Sequence, residues 1–162
     1  MKILNINGAE YTLEYSFMAA EHNQTVQKMF NVLSGAYLVK HVNMTEEDKK
    51  ESVANAMISG TGEMISDIPH IVKTAFYSGL LENHELSEED AYALMKQYMK
   101  ENKISFKKLF DDIKECMEQD GFFDLSGLTE MVEEMNKSVK EQAKKRTAKA
   151  PQDHKKKSTG AK

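Results

Sequence analysis

Several residue types are scarce in this chain of 162 residues, and each scarcity excludes a class of protein. Cys116 is the only cysteine, so the chain can form no internal disulfide and no cysteine cluster for zinc or an iron–sulfur centre. No stretch approaches the roughly 20 apolar residues that cross a bilayer, and residues 1–5 lack the apolar run of a signal peptide. We therefore expect a single-core protein that stays in the cytoplasm where it is made, without membrane contact.

Basic residues are also scarce in most of the chain. Residues 1–136 carry 12 Lys and Arg against 24 Asp and Glu, a net charge of −12, whereas residues 137–162 carry 10 against 2, a net charge of +8. Because an acidic body repels nucleic acid, we expect no nucleic-acid binding by the body, and any such contact would fall to the last 26 residues.

The residue patterns of common catalytic and metal sites are missing. No two histidines stand three or four residues apart, the spacing that aims two ligands at one metal from a helix. We expect Cys116 to be a buried or half-buried structural thiol, although a pairing with a histidine distant in the chain remains open. The sequence therefore predicts no cofactor, no metal and no enzymatic activity. A small hydrolase stays an alternative that would need a pocket with convergent polar groups.

The N-terminus has the pattern of a β-hairpin. Residues 2–6 and 10–15 are short β-type runs joined across Asn7-Gly8, a pair suited to positive φ in a tight turn. Tyr11, Leu13 and Tyr15 alternate with polar residues, which places them on one face. Because an isolated hairpin is marginal in water, we expect this face to pack on a helix.

The rest of the body has helical spacing of its apolar residues. We predict a mainly α fold, with the N-terminal β-hairpin packed on a multi-helix bundle and a disordered basic C-terminal tail. Glycine and proline set the boundaries inside this bundle: Gly60 and Gly62 end or loosen one helix, and Asp67 caps the next with Pro69 in its first turn. The predicted helices run from near Ser16 to before Gly35, from Thr45 towards Met57 or Ile58, from Asp67 to Gly79, from Ser87 to Asn102, from Ser105 to Asp120, and onward from Ser126 or Gly127.

The last predicted helix has a narrow apolar seam flanked by Glu and Lys, which is typical of a helix that packs on another helix, its own or a partner's. We expect homo-oligomers through this seam. A second helix contributes two methionines, whose flexible side chains suit irregular partner surfaces. From about residue 144 the seam ends, so we divide the chain into a helical domain, 1–143, and a disordered basic tail or linker, 144–162. The candidate protein-binding or self-association residues are Leu128, Met131, Val132, Met135, Val139, Met95 and Met99.

Three stretches of the chain resemble the tail assembly chaperones of long-tailed, siphovirus-type bacteriophages or prophages of Gram-positive bacteria. Residues 4–17, LNINGAEYTLEYSF, are similar to the family's opening: a short strand, a glycine turn, a Tyr-bearing strand and an aromatic residue leading into the first helix. Residues 75–81, AFYSGLL, followed by 86–91, LSEEDA, are similar to its small-residue and aromatic helix, loop and acidic helix start. The acidic, apolar-striped stretch 110–123 completes the resemblance.

This resemblance implies a protein of the host cytoplasm, absent from the mature virion, that binds the tape measure protein and tail tube subunits before the tail polymerises. Amphipathic, Met-rich helices without a chemical site suit such a role. The alternative is a scaffolding or nucleic-acid-associated protein that acts through its basic C-terminal tail, which carries Lys and Arg but no aromatic residue to stack on bases.

Overall fold

The computed structural model describes residues 1–36 and 48–147, and within its helices it leaves the side chains of residues 48–57, 139, 140 and 142–147 undescribed. Over these ranges the chain is mainly α-helical, with a two-stranded sheet at the N-terminus, as predicted. The elements in chain order are β1 (Lys2–Ile6), β2 (Ala9–Leu13), α1 (Phe17–Glu21), α2 (Asn23–Leu33), α3 (Asp48–Leu80), α4 (Glu88–Asn102), α5 (Phe106–Gln119), α6 (Phe122–Leu125) and α7 (Leu128–Thr147).

The N-terminal hairpin is confirmed. β1 and β2 pair antiparallel across a turn in which Asn7 and Gly8 both have positive φ, 52° and 78°, as a type I′ hairpin turn requires. The alternation buries Leu4 and Leu13 on the inner face and leaves Ile3 exposed on the outer face. β1 packs against α4 and β2 against α3, so helices support the hairpin, as its marginal stability demands.

Helix α3 is the centre of the fold. It contacts β2 and the helices α1, α2, α4 and α5, and its second half buries an apolar stripe that includes Ile71, Val72 and Phe76. The other helices surround this stripe, and α5 contributes Leu109 and Ile113 to the same core. A single buried cluster therefore holds the hairpin and the helices together.

The predicted breaks inside α3 were wrong. The helix is continuous through Gly60 and Gly62, and Pro69 lies inside it, so Asp67 is not an N-cap. Glycine and proline lower helix propensity, but tertiary packing overrides propensity where a strong apolar face follows. Here that face begins at Ile68. The predicted cap at Thr45 lies outside the described residues.

Pro69→Ala is expected to raise the free energy of unfolding by about 2 kcal/mol, because proline inside a helix lacks the N–H for the carbonyl four residues earlier and its ring crowds that carbonyl. Thermal and denaturant unfolding monitored by circular dichroism measure the change. An unchanged or lowered stability would show that Pro69 lies in the first turn of a shorter helix, where proline is tolerated.

The prediction for residues 16–35 also differs from the structure. The predicted single helix from Ser16 to Gly35 is broken into α1 and α2, because His22 adopts an extended conformation, with φ −76° and ψ 92°. The His22 ring contacts the Tyr77 ring edge-on and its Nδ1 lies 2.9 Å from Thr25 Oγ1, so tertiary contacts hold the break.

The other predicted helix starts are confirmed. Ser87 Oγ accepts a hydrogen bond from the Asp90 amide, and Ser105 Oγ accepts one from the Lys108 amide, as N-capping residues do. α7 follows Gly127 and continues to Thr147, so it includes residues 144–147, which the sequence analysis assigned to the disordered tail. Residues 148–162, the remainder of that predicted tail, lie outside the described residues, and the domain division stays a prediction.

Candidate functional site

Tyr15 marks the point at which distant parts of the chain meet. Its side chain is fully buried, and its hydroxyl donates a 3.1 Å hydrogen bond to the Ala75 carbonyl in α3. Its ring also contacts the Phe122 ring of α6 edge-on, with centroids 6.1 Å apart. Tyr15, two residues beyond the end of β2, is thus fixed against two helices, because both its ring and its polar atom have partners.

Gly79 makes room for the Tyr15 ring. A Cβ atom added at Gly79 would lie 2.7 Å from Tyr15 Cζ, a distance that real Cβ atoms do not tolerate. The Gly79 carbonyl also accepts a 2.7 Å hydrogen bond from the Glu14 amide. A residue without a side chain therefore allows the end of the hairpin to lie directly on the last turn of α3.

Asp120, at the C-terminal end of α5, binds both ends of residues 1–15, which we call the hairpin segment. Its carboxylate pairs with the Met1 ammonium and accepts a 3.0 Å hydrogen bond from the Tyr15 amide. Burial by itself would raise the pKa of Asp120, but the hydrogen bonds from the ammonium and from the Tyr15 amide outweigh it and lower the pKa below its ordinary value of 3.8. The ionised form of Asp120 is thus the one that the fold stabilises.

The Cys116 thiol belongs to the same group of contacts. It is buried and lies 3.5 Å from Asp120 Oδ2. Burial, and then the negative charge of Asp120, raise the pKa of this thiol. Because the thiolate is the nucleophilic form, this environment suits a structural cysteine and not a reactive one.

Two histidines that the sequence left as possible partners of a nucleophile have structural roles. His84 Nε2 accepts a 2.9 Å hydrogen bond from the Thr12 amide of β2, and its ring contacts the Tyr11 ring. His22 holds the break between α1 and α2, as described above. Among residues 1–36 and 48–147, no group of three His, Cys, Asp or Glu is placed to hold a metal ion.

The structure brings together the three stretches that carry the family resemblance. Residues 4–17 supply Tyr15, residues 75–81 supply Gly79, and residues 110–123 supply Phe122. Their contacts are those of a core, made of ring packing and backbone hydrogen bonds. These stretches therefore specify how the hairpin, α3, α5 and α6 pack.

The six candidate protein-binding residues whose side chains are described differ in burial. Met95 and Leu128 lie in the core and are closed to a partner in this conformation. Three others are half-buried, and Met131 is 53% exposed. The side chain of Val139 is not described. The half-buried residues are Met99, Val132 and Met135.

The seam of α7 has an internal partner for part of its length. α7 packs against α6 and α2, and its seam residues Leu128, Val132 and Met135 are the less exposed ones. Beyond Met135, each described side chain of α7 is exposed. The sequence left open whether the seam meets its own chain or a partner, and the first half of α7 meets its own chain.

Four large apolar side chains are exposed on elements that contact one another, and we call these four residues the outer patch. Phe17 and Met18 of α1 are 68% and 46% exposed, Leu125 of α6 is 42% exposed, and Met131 of α7 is the fourth. α6 contacts both α1 and α7. A concentration of exposed apolar side chains is a mark of a protein-binding surface.

Phe17 and Leu125 were not predicted to be exposed surface residues. One signal was present for Phe17, because it falls outside the helical stripe set by Val26, Met29 and Leu33. Leu125 lies in a four-residue helix that has no periodicity to interpret. Ile58 and Ile65, which are exposed on one face of α3, were not predicted as surface residues either. The predicted break at Gly60 had placed them outside a common helix.

No helix in the described ranges is long and apolar enough to cross a membrane. Comparison of the chain with protein-family models, curated proteins and solved structures gives no match.

Proposed function

We propose that this chain is a phage tail assembly chaperone that binds the tape measure protein and tail tube subunits before tail polymerisation, and that it acts by binding and not by catalysis. The observation that carries the proposal is the meeting of the three resembling stretches around Tyr15. Segments separated by about 60 and 100 residues in the chain share one set of contacts. A chain that resembles the family in all three stretches therefore resembles it in the residues of one packing arrangement. A resemblance in a single stretch would not have this implication.

The surface of the molecule supports a binding role. The outer patch and the exposed pair Ile58 and Ile65 place large apolar side chains in water, where each costs free energy unless a partner covers it. An aggregation-prone client offers apolar surface of its own until assembly buries it. Apolar side chains on the outside of helices are suited to cover such a surface for that time.

Co-expression tests the proposal. A tape measure fragment or a tube protein from a siphovirus of a Gram-positive host is expected to stay soluble with this chain and to co-purify with it at moderate salt. The chain truncated after Thr147 is the control for the basic end and is expected to retain the effect. If neither client stays soluble and co-purifies with the chain, the chaperone function is contradicted.

A further inference from the structure

Four segments of 22 or more residues contain no lysine and no arginine: residues 3–27, 51–72, 74–95 and 115–136. Three of them, residues 3–27, 74–95 and 115–136, carry three, five and seven acidic residues respectively. The fold packs these segments on one another, because they include β2 and α1, the end of α3, and the end of α5 with α6 and the start of α7. Among the residues that the structure describes, cations pair with only three of these acidic residues: the Met1 ammonium with Asp120, Lys114 with Glu118, and Lys137 with Glu133. An excess of negative charge therefore remains where these elements meet.

The outer patch belongs to these same segments. Phe17 and Met18 lie in the first segment, and Leu125 and Met131 lie in the third. The second segment supplies Glu82, whose carboxylate accepts hydrogen bonds from the Ser16 hydroxyl and the Met18 amide. Glu82 thereby attaches α1 to the end of α3 and places a carboxylate next to the patch.

Core packing does not account for Phe17. The neighbouring residues of the hairpin segment, Leu13 and Tyr15, are buried in the core, whereas Phe17 is 68% exposed at the first position of a five-residue helix. Aromatic side chains are enriched at the centres of protein interfaces, since one side chain covers a large apolar area at a low cost in conformational entropy. An aromatic residue held outward beside acidic groups is placed to meet a partner.

We propose that the outer patch binds an amphipathic helix of a client protein, with its apolar face on Phe17, Met18, Leu125 and Met131 and with lysine or arginine along its edges. The apolar side chains supply the affinity, and the surrounding carboxylates select basic flanks and repel acidic ones. The inference rests on the proposed function only in calling the partner a client, and it names that client's chemistry.

The basic end of this chain is a less suitable occupant. Residues 148–162 carry five lysines, but they contain no Val, Ile, Leu, Met or aromatic residue. Such a segment can approach the carboxylates but cannot cover Phe17. A helix with an apolar face satisfies both features of the surface.

Two synthetic peptides of about five helical turns, roughly 18 residues, test the proposal. Both have leucine on one face, and the other face is lysine in one peptide and glutamate in the other. The full-length chain is expected to bind the lysine peptide, measured by fluorescence anisotropy, and to bind the glutamate peptide at least tenfold more weakly. Added salt is expected to narrow this difference, because it screens the charges.

Phe17→Ser locates the site. This variant is expected to weaken binding of the lysine peptide about tenfold, as truncation of a central interface aromatic does. Ile3→Ser is the matched control, because Ile3 is 59% exposed on the outer face of β1, and it is expected to bind as the unchanged chain does. Circular dichroism of both variants checks that the fold is retained.

The proposal would be overturned if the chain bound the two peptides with equal affinity. It would also be overturned if Phe17→Ser and Ile3→Ser weakened binding of the lysine peptide equally. It also fails if Phe17→Ser converts an oligomer into a monomer and leaves peptide affinity unchanged, because the patch is then an interface between copies of this chain. The proposed function is tested separately by co-expression. A client that stays soluble while the peptides fail to bind removes this inference alone.

Discussion

Gly79→Ala is expected to lower the free energy of unfolding by about 2 to 3 kcal/mol, the upper range for overpacking a core. The added Cβ would lie 2.7 Å from Tyr15 Cζ and 3.0 Å from Tyr15 Cε1. The ring cannot swing away easily, because its hydroxyl is bonded to Ala75 and its edge packs on Phe122. Alanine's better helix propensity, about 1 kcal/mol, offsets part of the cost. Urea unfolding monitored at 222 nm measures the net loss.

Gly62→Ala is the control for this variant. Gly62 lies in the same helix, but a Cβ there has no atom within 4 Å, so the propensity gain acts alone and stability should be unchanged or higher. Replacing Tyr15 with leucine should make the Gly79 substitution much less costly, which a double-mutant cycle detects as a coupling free energy. Equal effects at Gly62 and Gly79 would contradict the close packing of the hairpin on α3.

Asp120→Ala is expected to cost about 2 to 3 kcal/mol of stability at neutral pH. The substitution leaves the part-buried amide of Tyr15 without its acceptor and removes the partner of the Met1 ammonium, and an unpaired buried donor costs about 1 to 3 kcal/mol. Asp120→Asn is expected to cost less, because the amide oxygen can still accept the hydrogen bond from Tyr15. The free energies of unfolding of the two variants, compared with that of the unchanged chain, test this order.

The stability difference between the unchanged chain and Asp120→Asn should decrease at both acid and alkaline pH. The fold lowers the pKa of Asp120 below its ordinary value of 3.8, so the folded state holds the ionised form longer than the unfolded state does as the pH falls. The contribution of Asp120 is therefore complete between about pH 4 and about pH 8, and it decreases as the pH falls through the folded-state pKa of Asp120. Partial burial lowers the pKa of the Met1 ammonium, but the hydrogen bond to Asp120 outweighs it and raises this pKa above its ordinary value of 8.0, so the ion pair is also lost as the pH rises through the raised pKa. Asp112 also has a lowered pKa, and the comparison cancels its effect. A difference that stays constant down to pH 2 would contradict the ion pair.

Local chemistry explains which parts of the fold the sequence could predict. The turn at Asn7-Gly8 and the caps at Ser87 and Ser105 depend on residues within three positions of one another, and all three were predicted. The continuity of α3 depends instead on burial of Ile71, Val72 and Phe76 by elements distant in the chain. Propensity at Gly60, Gly62 and Pro69 indicated a break, and the free energy of that burial outweighed it.

The candidate surface was harder to predict for the same reason. Helical spacing correctly identified Met95 and Leu128 as members of apolar stripes. Spacing alone does not show whether a stripe is covered by its own chain or by a partner. The structure shows that this chain covers both residues. The outer patch combines short elements from opposite ends of the chain, and neither a five-residue nor a four-residue helix has a readable period. Only the exposure of Phe17 and Leu125 in the folded chain identifies it.

The attachment of both ends of the hairpin segment to Asp120 affects how the protein matures during its synthesis. Residues 1–15 are made before Asp120, and the carboxylate that holds Met1 and the Tyr15 amide belongs to this residue more than 100 positions later. At roughly 5 to 20 residues per second, the N-terminal strands wait on the order of 5 to 20 s for this partner. The apolar face of β1 and β2 stays uncovered until α3 and α4, on which the two strands pack, have been made. The nascent chain itself therefore passes through an aggregation-prone interval, and residues 1–15 are fixed at both ends only after Asp120 has been made.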